Sequence, residues 1–103
     1  MRTLLKITVP VEKGNRAAAD GSLPKIIGAT IEALRPEASY FFPENGRRTA
    51  MFIFDLKDTA DIPVIAEPLF NGLDAEITFA PVMNAQDLQA GLQRVAAEAS
   101  RAK

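Results

Sequence analysis

The segment from Ala38 to Leu56 constrains this chain more than any other. Asn45-Gly46 separates two runs rich in aromatic and aliphatic residues, Ala38 to Glu44 and Arg47 to Leu56. Asn-Gly is the strongest short-range hairpin signal, because a type I′ turn needs positive φ at both central residues. A two-residue turn fixes register by arithmetic. Glu44 falls opposite Arg47 as a favourable cross-strand charge pair, Phe42 opposite Thr49, and Tyr40 opposite Met51. Alternation then places Tyr40, Phe42, Met51 and Ile53 on one face and Phe41, Ala50, Phe52 and Phe54 on the other. Both faces are apolar, whereas an antiparallel sheet ordinarily leaves one of them to solvent.

The remaining elements follow from periodicity. Thr3 to Val9 alternates as a first strand, with Leu5, Ile7 and Val9 on one side and Leu4, Lys6 and Thr8 on the other; Pro10 ends it. Glu12 to Asp20 is polar and alanine-rich, enough for a helical turn or two before Asp20-Gly21. Ser22 is the expected N-cap of a helix running to about Leu34, with the stripe Leu23, Ile27, Ile31 and Leu34, and Pro36 as its stop. A second helix lies between Asp58 and Phe70, with Asp61 as N-cap, Pro68 expected to kink or shorten it, and Asn71-Gly72 as its stop. Ala75 to Met83 is a fourth strand, with Ile77 and Phe79 opposite in face to Glu76 and Thr78. Asn84 caps a last helix, with Asp87 three residues on as a capping-box variant. Leu88, Leu92, Val95 and Ala99 form its stripe, and Ser100 to Lys103 is expected to fray.

This order, β-α-β-β-α-β plus a C-terminal helix, predicts a single α+β domain over residues 1–103. It has a ferredoxin-like fold, with a four-stranded antiparallel sheet in the order 4-1-3-2 and both crossover helices on one face. Those helices cover one face of the hairpin. Two occupants are open for the other: the chain's own C-terminal helix, or a second copy. Four strands about 4.8 Å apart and roughly 18 Å long present about 350 Å² in projection. Two such faces pressed together bury on the order of 1,200 Å², the low end of a stable interface. The size of the bare face favours the second copy.

Composition narrows the chemistry. The formal charge is −1, from 12 basic and 13 acidic residues. That argues against nucleic acid as the partner, since phosphate binding needs a basic face. With no cysteine and no histidine there is no disulfide, no thiol nucleophile and no histidine-dependent triad, and the commonest metal and haem ligand is missing. No cofactor and no metal site are expected. The first residues lack the pattern of a signal peptide and no apolar run is long enough to cross a bilayer, so no membrane role is expected and the cytoplasm is the expected compartment.

Three residues are candidates for ligand binding. Lys6 and Thr8 project together from the first strand, Glu76 and Thr78 from the fourth. These strands are neighbours in the order 4-1-3-2, so Lys6 and Glu76 are expected to approach across the ladder, where a satisfied ion pair is the alternative reading. Tyr40 is the only tyrosine and supplies a phenol able to orient or protonate a substrate, or else simply packs. Whether it shares a face with Lys6 is not fixed by the sequence. A cavity beside these residues would have an apolar half from the hairpin and a polar half from the first and fourth strands, the make-up of a small-molecule pocket. The loop residues Glu12, Gly14, Asn15, Asp20, Gly21 and Ser22, whose backbone amides could hold an anion, the pair Arg47 and Arg48, the series Asp55, Asp58 and Asp61, and the carboxylate of Glu67 have simpler readings as turns, caps and solvated surface.

Several stretches carry a resemblance. They are Val9-Pro10, Leu34-Arg35-Pro36, Ala38-Ser39-Tyr40-Phe41, the run Ala50 to Asp55, Ala66-Glu67-Pro68-Leu69-Phe70 and Pro81-Val82-Met83-Asn84. Together they resemble a family of small uncharacterised bacterial proteins that looks like the dimeric α/β-barrel superfamily. The resemblance spans nearly the whole chain. It implies a homodimer formed through the sheet face, with a cavity between the sheets or between sheet and helices. It does not imply one activity. The function expected is a homodimeric module binding a small apolar or aromatic molecule between its sheets. The alternative is a cofactor-independent enzyme, an oxygenase or isomerase of small aromatic or lactone compounds, moving protons with Tyr40, Lys6 or Glu76. Haem handling ranks last for want of an axial histidine.

Overall fold

The computed structural model describes residues 1–101. Its first strand, β1 (Arg2–Val9), is a central strand of the sheet. Leu5, Ile7 and Val9 are buried on one side, and antiparallel neighbours flank β1 on both edges. Pro10 turns the chain directly into α1 (Val11–Asp20), a ten-residue helix rather than a turn or two. Gly21, at φ 84°, joins it to α2 (Ser22–Leu34). Ser22 is not the N-cap. Its backbone N–H donates to Asp20 Oδ1 at 2.8 Å, so the aspartate satisfies that donor from outside the helix. Arg35, left-handed at φ 47°, closes α2, and Pro36 keeps it closed.

The hairpin forms as the turn arithmetic requires: β2 (Ala38–Glu44) and β3 (Arg47–Asp55) meet with Glu44 opposite Arg47 and Tyr40 opposite Met51. Asn45 and Gly46 both have positive φ, 53° and 77°. Then follow α3 (Asp61–Leu73), β4 (Glu76–Pro81) and α4 (Ala85–Arg101). The carboxylate that satisfies the backbone ahead of α3 is Asp58, which accepts from the Ala60 N–H at 2.9 Å; Asp61 is the first helical residue. Pro68 does not shorten α3, which continues through Asn71 and Gly72 and stops at Asp74 in the left-handed conformation. Gly72 serves packing instead: a Cβ there would lie 2.7 Å from Ile26 Cδ1, so its absence lets α3 approach α2.

All strand pairs are antiparallel, in the order β2-β3-β1-β4, which counted from the β4 edge is 4-1-3-2. One face of the sheet carries Leu5, Ile7, Val9, Ala50, Phe52 and Phe54, all buried, with Leu69 and Leu73 of α3 and Leu34 of α2 packed on them. The structure is thus α+β, an open four-stranded antiparallel sheet with α1, α2 and α3 on one side.

The last helix does something else. None of its residues is buried; Leu88, Leu92 and Val95 are 47%, 59% and 65% exposed. It does not lie over the second sheet face, which corrects that reading of the C-terminal helix. At 1.5 Å per residue its 17 residues span about 25 Å. It extends the molecule to 63 × 29 × 19 Å, with a radius of gyration of 17.4 Å against about 13 Å for a compact chain of this length. Its root is fixed. Asn84 Oδ1 accepts the Asp87 N–H at 2.8 Å, and Asp87 Oδ2 accepts the Asn84 N–H at 3.1 Å, a reciprocal capping box. Arg2 donates to that same carboxylate at 2.8 Å and to Glu37 Oε1 at 2.9 Å. Of the fraying expected over Ser100 to Lys103, Ser100 and Arg101 show none, since the helix runs to Arg101; Ala102 and Lys103 lie outside the described residues.

Candidate functional site

The pairing of β1 with β3 and β4, added to the hairpin register, settles which side chains share the face away from the helices. Rows run across the sheet. Tyr40, Met51, Lys6 and Thr78 form one; Phe42, Thr49, Thr8 and Glu76 the next towards the turn; Ala38, Ile53, Leu4 and Ala80 the next away from it. Tyr40 therefore shares its face and its row with Lys6. The three candidates Lys6, Tyr40 and Glu76 all stand on the open face.

They do not form one cluster. Lys6 lies opposite Thr78, and Thr8 opposite Glu76, so the expected approach of Lys6 to Glu76 does not occur. Lys6 Nζ instead donates to Glu44 Oε1 at 2.5 Å, reaching across β3 towards the hairpin. Glu76 Oε2 is 3.4 Å from Arg47 Nη1. Glu44 and Arg47 are opposite in register, yet each finds its ion partner on another strand: Lys6 on β1 and Glu76 on β4. The corner nearest the turn thus carries two crossed ion pairs, both internal to the chain. Tyr40, 62% exposed, is on the β2 edge, while Glu76 is on the β4 edge. Three strand spacings separate those edges, about 14 Å, too far for both to handle a proton on one small substrate within one subunit.

Around the ion pairs the open face is apolar to half-polar. Leu4, Met51, Ile53 and Phe42 are half-buried by their neighbours, and the hydroxyls of Thr8 and Thr49 sit in the middle of the sheet. No buried side-chain nitrogen or oxygen lacks a hydrogen-bond partner among the described residues. Nor do three or more aspartate or glutamate side chains converge there in a geometry that could hold a metal ion.

The opposite side of the sheet holds a feature that the sequence reading missed. The helix layer stops short of β2. On the helix face Ser39, Phe41 and Pro43 are exposed, while their neighbours Ala50 and Phe52 on β3 are buried. The uncovered strip is a cleft of about 490 Å³, walled by Ile7 and Val9 of β1, Leu23 and Ile27 of α2, and Phe41 and Ala50 of the hairpin. Phe41 leans edge-on against Phe52, with ring centroids 5.8 Å apart. The one charged group on its lining is Arg48. A signal was present in the pattern: Phe41 and Arg48 have the same parity as core residues and lie on strands that two crossover helices cannot both cover.

Among the described residues no helix is long and apolar enough to cross a membrane. Comparison with protein-family models, with curated proteins and with solved structures finds no match.

Proposed function

We propose that this chain is a homodimeric binding module of the ferredoxin-like, dimeric α/β-barrel type. Two subunits stack open face on open face and hold a small apolar or aromatic molecule between their sheets, beside Tyr40. One observation carries the reading. All three packed helices lie on one side of the sheet, the fourth stands clear of both, and the bare side still carries Tyr40, Phe42, Met51, Ile53 and Leu4.

Two further features support it. Ion pairing on this face is internal, Lys6 with Glu44 and Arg47 with Glu76, so covering it strands no lone charge. The unpartnered stripe of α4 adds to what a second copy covers. A helix about 25 Å long and about 10 Å across on each subunit, together with the two sheet faces, brings the buried total into the standard interface range of about 1,600 Å². Symmetry makes such an interface isologous, the same patch meeting itself. A catalytic version using Tyr40 with Glu76 would have to draw them from opposite subunits, and no contact within the chain favours catalysis over binding alone.

Tyr40 makes the test direct, because the chain has one tyrosine and no tryptophan. Emission excited at the phenol comes from this position alone. Raising the protein concentration is expected to protect Tyr40 from iodide quenching, with a further change when a small apolar molecule transparent at the exciting wavelength, such as cyclohexanol, is added. Quenching that stays complete at every concentration would remove the stacked dimer.

A further inference from the structure

The cleft on the helix side lies on the opposite face from the proposed dimer contact, and it is built differently from the open face. Its walls are almost wholly hydrocarbon, and its volume of about 490 Å³ falls within the range of small-molecule sites. At its turn end stands Arg48. The guanidinium Nη1 donates to Asn15 Oδ1 of α1 at 2.9 Å, a neutral acceptor, and no carboxylate lies within ion-pair range of it among the described residues. Arg2, Arg47 and Arg101 each have an acidic partner, while Arg16, Arg35 and Arg94, like Arg48, have none among the described residues; of these four only Arg48 lines the cleft.

Local structure holds Arg48 in place. Its side chain crosses α1 at Gly14, where an added Cβ would sit 3.0 Å from Nη1 and 3.6 Å from Cδ. Gly14 is buried, and its own N–H is taken by Pro10 O at 2.8 Å. The guanidinium is therefore laid over a helix turn that has no side chain in the way and is pinned by Asn15. It keeps further N–H donors in a planar fork suited to a carboxylate. An apolar groove ending in one cation without a counter-ion is complementary to one kind of small molecule: a hydrocarbon chain or ring ending in one negative charge.

We infer that the cleft between α2 and β2 binds a small apolar monocarboxylate, its tail between Ile27 and Phe41 and its carboxylate on Arg48. This site is separate from the space between sheets and does not need it.

The test uses the full chain, with decanoate as probe and decan-1-ol as the uncharged control, read by calorimetry. Decanoate is expected to bind once per chain, and the alcohol at least ten-fold more weakly. Arg48→Gln is expected to weaken decanoate about ten-fold or more, the usual range for losing a charge-assisted contact, and to leave the alcohol unchanged. Gly14→Ala, which displaces the guanidinium, moves affinity in the same direction by a smaller factor. Phe41→Ala, at a position 58% exposed and so compatible with folding, weakens acid and alcohol together. No decanoate binding, or equal binding by wild type and Arg48→Gln, overturns the inference. Binding that appears only when residues 85–103 are removed also overturns it, since the occupant is then the terminal helix of another copy. Loss of decanoate binding in a variant that keeps the mass of two chains bears on this site alone; a wild-type monomer that binds decanoate bears on the dimer alone.

Discussion

Asp20 shows how one side chain sets a joint. Its carboxylate accepts the Ser22 N–H at 2.8 Å across the joint that left-handed Gly21 makes between α1 and α2. Hydrogen bonding to Ser22 holds its pKa below the usual aspartate value of 3.8. The stabilisation is present in full above the unfolded value and is lost as pH falls through the lower folded one. A carboxyl NMR titration is expected to place the Asp20 midpoint below that of a model peptide; a midpoint at or above it contradicts the contact. In the core, Phe52 of β3 is fully buried between the sheet and the helices, and Phe52→Ala is expected to cost about 3–5 kcal/mol in denaturant unfolding. Core residues of this kind were legible, because alternation around a fixed turn sorts side chains by face. Caps were less so. Ser22 and Asp61 have the composition of N-caps, but an aspartate two residues upstream of an N–H offers the same bond, and Asp20 and Asp58 took it.

Elements were legible where a turn or a period defines them, and partner choice was not. The hairpin register followed from Asn45-Gly46, whereas β4 reaches β1 through a helix, with no tight turn to count from. Lys6 therefore met Thr78 rather than Glu76, and the long lysine chain found Glu44 two strands away. The stripe of α4 was also legible, yet a stripe says that a helix needs cover and not what covers it. Because no residue of α4 is buried, removing residues 85–103 is expected to leave the sheet and its three helices folded while weakening self-association. Thermal melts beside sedimentation velocity would check both. A melt that collapses with the truncation contradicts the independence of the body. Loss of the capping box in Asn84→Ala, worth about 1 kcal/mol in comparable helices, is expected to lower helical circular dichroism without unfolding the sheet.

For the whole molecule, two surfaces lack what a folded chain ordinarily gives them: a sheet face with no layer over it, and a helix with no body beneath it. In the proposed dimer a second copy covers both at once, and the internal ion pairs leave no lone charge on the covered sheet face. The helix-side cleft remains open in that assembly, so a dimer with two outward sites is the form the chain is expected to take. The most direct measurement is the solution mass by sedimentation equilibrium over a hundred-fold range of concentration, for wild type and for Met51→Glu at the centre of the open face. Twice the chain mass is expected for the wild type and a folded single chain for the variant. A wild type that stays folded at the mass of one chain throughout would contradict the stacked dimer.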